Sequence, residues 1–325
     1  TNTPKRDANF LSWAGAVDEK KPVVYVRNWG SSDEWQLFSE ASGVISVPAG
    51  KEVRLQISVN ETSDLAQFLQ KINPHDVQML DLQFSFHINQ TNPLDFVSRL
   101  ETLKGLKMSG KFFEASKKPH IDYFAPLSRL KHLELLDVSV FWYPEDWIPN
   151  EKIPASEFDY TTATEQTVAL SNGQVSPEER MRSIKDFPSL RSLRFGHGQD
   201  MDSKSLAYIG NIKSLEELIF SEAVPNARSE GITDEGLKNI QHLTNLRALI
   251  IPGAKISSNG LAYLKNMKQL QELNLSFTPV FDAGLAHLQD LKSLKRVVLI
   301  NTSVNSETMS KMSESMPNTV FTDMP

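Results

Sequence analysis

Apolar residues recur along the second half of the chain in a two-part pattern. The first part is Leu-x-x-Leu-x-Leu or a close variant, in which apolar and other residues alternate. The second part is a triplet of apolar residues three positions apart, such as Leu261, Leu264 and Met267. The alternation predicts a strand with one buried face, and the triplet predicts a helix with one apolar stripe. Asp234, Ser258 and Asp282 stand where an N-cap is expected.

The two-part units follow one another at a nearly constant period. Their strand segments begin at Leu190, Leu215, Leu246, Leu270 and Leu294. Weaker units begin at Leu103 and Leu133, and earlier strands fit at 77–82 and 53–57. Units of this length that pack only on their neighbours form a solenoid, and here about nine strands are predicted.

The turns that lead into three of the helices carry a family resemblance. They read Ile232-Thr-Asp-Glu-Gly-Leu237, Ile256-Ser-Ser-Asn-Gly-Leu261 and Val280-Phe-Asp-Ala-Gly-Leu285. These segments resemble the Gly-Leu type of bacterial leucine-rich repeat, which is similar to the ribonuclease-inhibitor-like and F-box-associated-like class. The resemblance is specific over 189–316, loose over about 51–188 and absent before that. It implies an α/β leucine-rich-repeat solenoid (a horseshoe with a parallel concave sheet and convex helices) and partner binding, but it transfers no functional residues.

Three parts of the chain differ in regularity. Residues 1–50 lack the repeat and are predicted to form an N-terminal cap with short strands at 23–26 and 43–47 and a helix around 10–17. Residues 51–188 are predicted to be divergent repeats with a long insertion at about 143–175. Residues 189–325 are predicted to be regular repeats and the C-terminal end.

The side chains between the core positions of each strand are predicted to face the concave side. There Ile219 and Ile250 form an apolar spot, bordered by Arg194, Glu217 and Glu272, with Asn274 following in the same row. Clustered aliphatic side chains with a charged rim suit an anchor residue of a binding partner. The alternative is that a long loop folds back over them.

Long connections after three strands, at 108–124, 138–181 and 220–237, all leave the predicted sheet at one edge. Insertions on one edge of a repeat protein often form its recognition surface. The longest contains Tyr143, Trp147 and Tyr160, which suit interface contacts. The alternative is that these rings pack on the edge of the solenoid.

Composition and motifs narrow the classes of function. Forty acidic residues against 34 Lys and Arg give a net charge of −6, and the basic residues are scattered, which argues against nucleic acid as a partner. Cysteine is absent, and no apolar run is long enough for a membrane span. The seven histidines include no i, i+4 pair, and no phosphate-binding or nucleophile motif occurs. No catalytic residue, metal or cofactor is therefore predicted.

The sequence thus predicts a non-enzymatic protein that binds an unknown protein or peptide, and it leaves the oligomeric state open. An alternative is a carbohydrate- or cell-wall-binding protein, or a cryptic hydrolase, that uses the aromatic and acidic residues of the insertion. A structural spacer is a third possibility. Because the chain opens at Thr1 without an initiator Met, we expect a removed signal or anchor segment and an extracytoplasmic location (periplasmic, surface or secreted). A shortened chain is the alternative.

Overall fold

The computed structural model describes residues 6–9, 22–40, 44–59, 62–88, 92–114, 124–144, 182–196, 201–220 and 231–324. Its strands are β1 Arg6–Asn9, β2 Val23–Asn28, β3 Gln36–Glu40, β4 Val44–Val47, β5 Lys51–Val59, β6 Met79–Ile88, β7 Gly105–Glu114, β8 Leu135–Pro144, β9 Ser192–Phe195, β10 Glu217–Phe220, β11 Ala248–Ile250, β12 Glu272–Asn274, β13 Arg296–Val298 and β14 Val320–Thr322. Among them, β1 and β4 form a separate antiparallel pair.

One long sheet organises the described part of the chain. It has 12 strands in the order β14 to β5 and then β2 and β3. Each strand from β5 to β14 is parallel to its neighbours in this series, whereas β2 runs antiparallel to both β5 and β3. The leucines at the second core position, such as Leu218, Leu249 and Leu273, are cross-strand partners and are fully buried. The sheet and the helical segments behind it form a leucine-rich-repeat solenoid, which confirms the predicted fold class.

Short helical segments connect most of the parallel strands. The α-helices are Thr62–Gln70, Leu94–Val97, Ser203–Ile209, Asp234–Ile240 and Ser306–Ser315, and the 3₁₀ helices are Ala125–Arg129, Arg182–Asp186, Asn259–Asn266 and Asp282–Leu288. The 3₁₀ form departs from the predicted period near 3.6 residues. The spacing of the triplets does not decide between the two forms, because Leu237 and Ile240 lie in an α-helix whereas Leu261 and Leu264 lie in a 3₁₀ helix. No helix in the described ranges is both long and apolar enough to span a bilayer.

The prediction that Asp234, Ser258 and Asp282 cap their own helices is wrong. None of these helices has a side-chain cap hydrogen bond. Instead, each of the three side chains accepts a hydrogen bond from a backbone N–H that precedes the next helix. The three bonds are Ser257 N to Asp234 Oδ1 at 2.7 Å, Phe281 N to Ser258 Oγ at 3.0 Å and Asn305 N to Asp282 Oδ1 at 2.9 Å. These side chains therefore join successive units.

Strands β6, β7 and β8 are longer than predicted. Each has 10 residues, and their pairing continues in register to Ile88, Glu114 and Pro144. The segments predicted to be loops after Met108 and Val138 therefore begin as strands. Their β-branched and aromatic residues favour this extension. The insertion predicted at about 143–175 and the helix predicted around 10–17 lie almost entirely outside the described residues.

Candidate functional site

The concave side of the sheet presents two rows of side chains that cross the strands. One row is Arg54, Met79, Gly105, Leu135, Ser192, Glu217, Ala248, Glu272, Arg296 and Val320. The other row is Gln56, Asp81, Lys107, Asp137, Arg194, Ile219, Ile250, Asn274, Val298 and Thr322. Because parallel strands carry these residues in register, each row is a continuous strip of a groove.

The predicted apolar spot forms on adjacent interior strands. Ile219 of β10 and Ile250 of β11 are direct cross-strand partners, and both are half-buried. Ala248 lies beside them, opposite Glu217. Arg194 precedes the pair in the row and Asn274 follows it. The pair therefore offers partly exposed aliphatic surface in the middle of the concave face.

Ion pairs border the apolar spot on two sides. Arg194 donates to Glu217 at 2.7 Å, and the hydroxyl of Ser192 donates to the same oxygen at 2.7 Å. Burial raises the pKa of Glu217, but these two hydrogen bonds outweigh it and leave the pKa below its usual value. On the other side, Arg296 and Glu272 lie 3.9 Å apart. The rim charges are thus already paired.

The remaining predicted site residues have different positions. Asn274 accepts a hydrogen bond from the backbone N–H of Ser276 at 2.9 Å, so its amide oxygen also shapes the turn after β12. Tyr143 belongs to the extended part of β8, where only the backbone is described. Trp147 and Tyr160 lie outside the described residues, and so does most of the long insertion, which could otherwise fold back over the apolar spot.

A cavity of about 590 Å³ occupies the N-terminal half of the same groove. The loop between β2 and β3, including Gly30 and Trp35, forms one wall. The charged side chains that line it are Arg27, Arg54, Lys104, Lys107, Arg194, Glu52 and Glu134. The cavity lies directly beside the apolar spot, because Arg194 belongs to the border of both.

A buried carboxylate connects the N-terminal strands at one side of this cavity. Glu52 is fully buried and accepts hydrogen bonds from Arg27 at 2.8 Å and from Lys104 at 2.7 Å. Arg27 also lies over the ring of Trp35 at 4.4 Å, and Lys104 lies over the ring of Trp29 at 5.0 Å. Burial raises the pKa of Glu52, but the bonds from the two cations outweigh it and lower the pKa. The triad therefore ties β2 to β5 and to the start of β7.

Replacing Glu52 with glutamine is expected to lower the free energy of unfolding by about 1–3 kcal/mol at pH 7, because it removes two charge-assisted hydrogen bonds. The folded-state pKa of Glu52 lies below the ordinary value of 4.5. The stabilisation is therefore fully present above that value and is lost as pH falls through the folded-state pKa. Urea unfolding of the wild type and of Glu52→Gln at pH 7 and pH 3.5 should show a smaller difference in the free energy of unfolding at pH 3.5.

The exposed Glu314 provides the matched control for this measurement. Glu314→Gln is expected to change the unfolding free energy by less than about 0.5 kcal/mol at both pH values. An effect of Glu52→Gln that is equal at pH 7 and pH 3.5 would mean that the ionised carboxylate does not stabilise the contact of β2 with β5 and β7.

Sequence reasoning missed this cavity. Its key residues, such as Arg27, Glu52 and Lys104, belong to three separate strands or their flanking turns, and no short motif connects them. A signal was present in the alternation of β5, where Glu52, Arg54 and Gln56 share one face. In the described part of the chain, no group of three or more His, Asp or Glu side chains could hold a metal ion.

Comparison with known proteins extends only to the fold. No known family model and no curated protein matches the sequence. An internalin, InlF from Listeria monocytogenes str. 4b F2365, matches in structure with a TM-score of 0.41 and 13% identity over 81% of this chain and 76% of that one. Internalin C2 of the same strain matches with a TM-score of 0.39 and 12% identity over 87% of this chain and 86% of that one. The Arabidopsis receptor kinase HAESA, in complex with the peptide hormone IDA and the co-receptor SERK1, matches with a TM-score of 0.43 and 16% identity. That match covers 77% of this chain and 34% of the receptor kinase chain.

With TM-scores below 0.5, these likenesses carry no argument, and the fold class rests on the parallel sheet described above. The low identities restrict the likeness to the fold. The function of this chain therefore has to be argued from its own concave surface.

Proposed function

We propose that this protein is a non-enzymatic binding protein whose concave sheet holds a protein segment or a peptide. The observation that carries the proposal is the pair of half-buried side chains of Ile219 and Ile250 on adjacent interior strands. An apolar side chain of a partner that covers this pair would be removed from water at the centre of the groove. Such central apolar anchors contribute most of the binding energy in many interfaces.

The rim favours this assignment because its charges are already satisfied. Glu217 is paired with Arg194, and Glu272 with Arg296, so a partner need not neutralise them. The binding energy of the anchor can therefore come from apolar burial, about 1.5–3 kcal/mol for a fully covered aliphatic or aromatic side chain. The rival assignment to a carbohydrate-binding protein or hydrolase depends on the aromatic and acidic residues of the insertion at about 143–175 and gains no support from the described residues.

Selection of a random twelve-residue peptide library on the immobilised protein tests the proposal. Enriched peptides are expected to contain an apolar anchor residue. The double variant Ile219→Glu and Ile250→Glu should weaken their binding at least tenfold, because it places two carboxylates against that anchor. Fluorescence anisotropy with labelled peptides measures the change.

The control variant is Lys265→Glu, an exposed residue on the helical side of the same unit as Ile250. It should bind the peptides as the wild type does, and all variants should keep the melting temperature of the wild type within a few degrees. Equal affinity of the double variant and the wild type would remove the binding site from the apolar spot. A library without enriched peptides would contradict peptide binding altogether.

A further inference from the structure

The cavity and the apolar spot together define what kind of peptide the groove can accept, and this inference rests on the proposed function. Both features lie on one row of the sheet, in which Lys107, Asp137, Arg194, Ile219 and Ile250 follow one another on β7 to β11. A ligand that lies along this row crosses the strands and touches both features.

The cations of the cavity differ in whether they have a partner. Arg27 and Lys104 share Glu52, and Arg194 pairs with Glu217 at 2.7 Å. Lys107, in contrast, makes no ion pair or hydrogen bond with its side chain in the described part of the structure, although it lines the cavity and is half-buried. A half-buried ammonium with unused donors is a binding handle for an oxygen acceptor of a ligand.

Two carboxylates lie on the strands beside Lys107, and they limit the charge of the ligand. Its cross-strand partners are Asp81 and Asp137. Asp81 is engaged by the guanidinium of Arg54, with Nε at 2.8 Å from one carboxylate oxygen. With these neighbouring acids included, the groove carries no large excess of positive charge. A polyacidic segment would therefore gain little electrostatic attraction, whereas a single carboxylate that reaches Lys107 would form a charge-assisted hydrogen bond.

Strand geometry fixes the distance between the two contacts. From Lys107 on β7 to Ile219 on β10 there are three steps across the sheet. With about 4.8 Å between neighbouring strands, these steps amount to about 14 Å. An extended peptide rises about 3.3 Å per residue, so about four residues separate the two contacts.

We propose that the groove recognises an extended peptide segment in which one carboxylate side chain lies about four residues from an aliphatic or aromatic side chain. The carboxylate accepts hydrogen bonds from Nζ of Lys107 in the cavity. The apolar side chain covers Ile219 and Ile250. Arg194, which lies between the two contacts, remains paired with Glu217 beneath the peptide backbone.

A synthetic peptide array tests the spacing directly. Each peptide has capped ends, a Ser, Gly and Asn background, one fixed Leu and one Glu placed one to eight residues away in either direction. A second array carries Gln in place of Glu. Labelled wild-type protein should give its strongest signal with Glu about four residues from Leu on one side, and at least fivefold less on the matching Gln peptides.

Two lysine variants separate the specific contact from general electrostatics. Lys107→Gln should reduce the best signal at least fivefold, whereas Lys295→Gln, which changes an exposed lysine directly before β13, should leave it unchanged. Equal losses in both variants, or a Leu-dependent signal that ignores the position of Glu, would overturn the proposed motif and leave peptide binding at the apolar spot intact. An array on which the wild type binds no peptide would overturn the proposed function together with the motif.

Discussion

Leu273→Ala is expected to lower the free energy of unfolding by about 2–5 kcal/mol. Leu273 is fully buried, and its cross-strand partners are Leu249 and Val297, which are fully buried as well. The shortened side chain leaves a cavity that is closed by a unit on each side. Because each unit of a solenoid is stabilised mainly by its neighbours, the loss should propagate to both interfaces.

Urea unfolding followed by circular dichroism measures this loss. The control is Gln269→Ala, an exposed position in the turn before the same strand, for which less than about 0.5 kcal/mol is expected. A loss near zero for Leu273→Ala would show that this side chain does not face the core and that the register of the repeat is shifted.

Gly260→Ala is expected to destabilise the protein by about 1–3 kcal/mol, because the added methyl group overfills a tight contact. A Cβ atom at Gly260 would lie 2.0 Å from Oδ1 of Asp234, far inside contact distance. The same oxygen accepts the hydrogen bond from Ser257 N, so it cannot move away without breaking the bond between units. Asp234 of one unit therefore packs directly against Gly260 of the next.

A double-mutant cycle with Asp234→Ala separates this contact from other effects of the methyl group. In an Asp234→Ala background the carboxylate is gone, and Gly260→Ala should cost at least about 1 kcal/mol less than in the wild type. It could even stabilise the protein, since alanine is favoured over glycine in a helical segment. Equal costs in the two backgrounds would contradict a direct contact between the two positions.

The sequence sufficed for the fold and for the arrangement of the core. A repeated apolar pattern defines which side chains are buried. The position of each strand also determines that of the next, because strands such as β10, β11 and β12 pair in register. The placement of Ile219 beside Ile250 follows from that register alone. The helical form was predicted less well, because the same spacing of three residues occurs in an α-helix at Leu237 and Ile240 and in a 3₁₀ helix at Leu261 and Leu264.

The cavity could not be predicted because its contacts connect distant parts of the chain. Glu52 meets Lys104 across 52 positions, and Arg27 reaches it from a strand that lacks the repeat pattern. The bonds between units were missed for a related reason. A Ser or Asp at the start of a helix has the same sequence signature whether it caps its own helix, as Asp202 does, or bonds to the loop of the next unit, as Asp234 does.

Binding on the concave face is the central claim of this account, and site-specific photocrosslinking tests it most directly. A benzophenone amino acid placed at Ile250 or at Lys265 reports whether a selected peptide lies on the sheet or on the helical side of the same unit. We predict that the peptide crosslinks at position 250 and not at position 265. Crosslinking at 265 alone, or equally at both positions, would contradict binding in the groove.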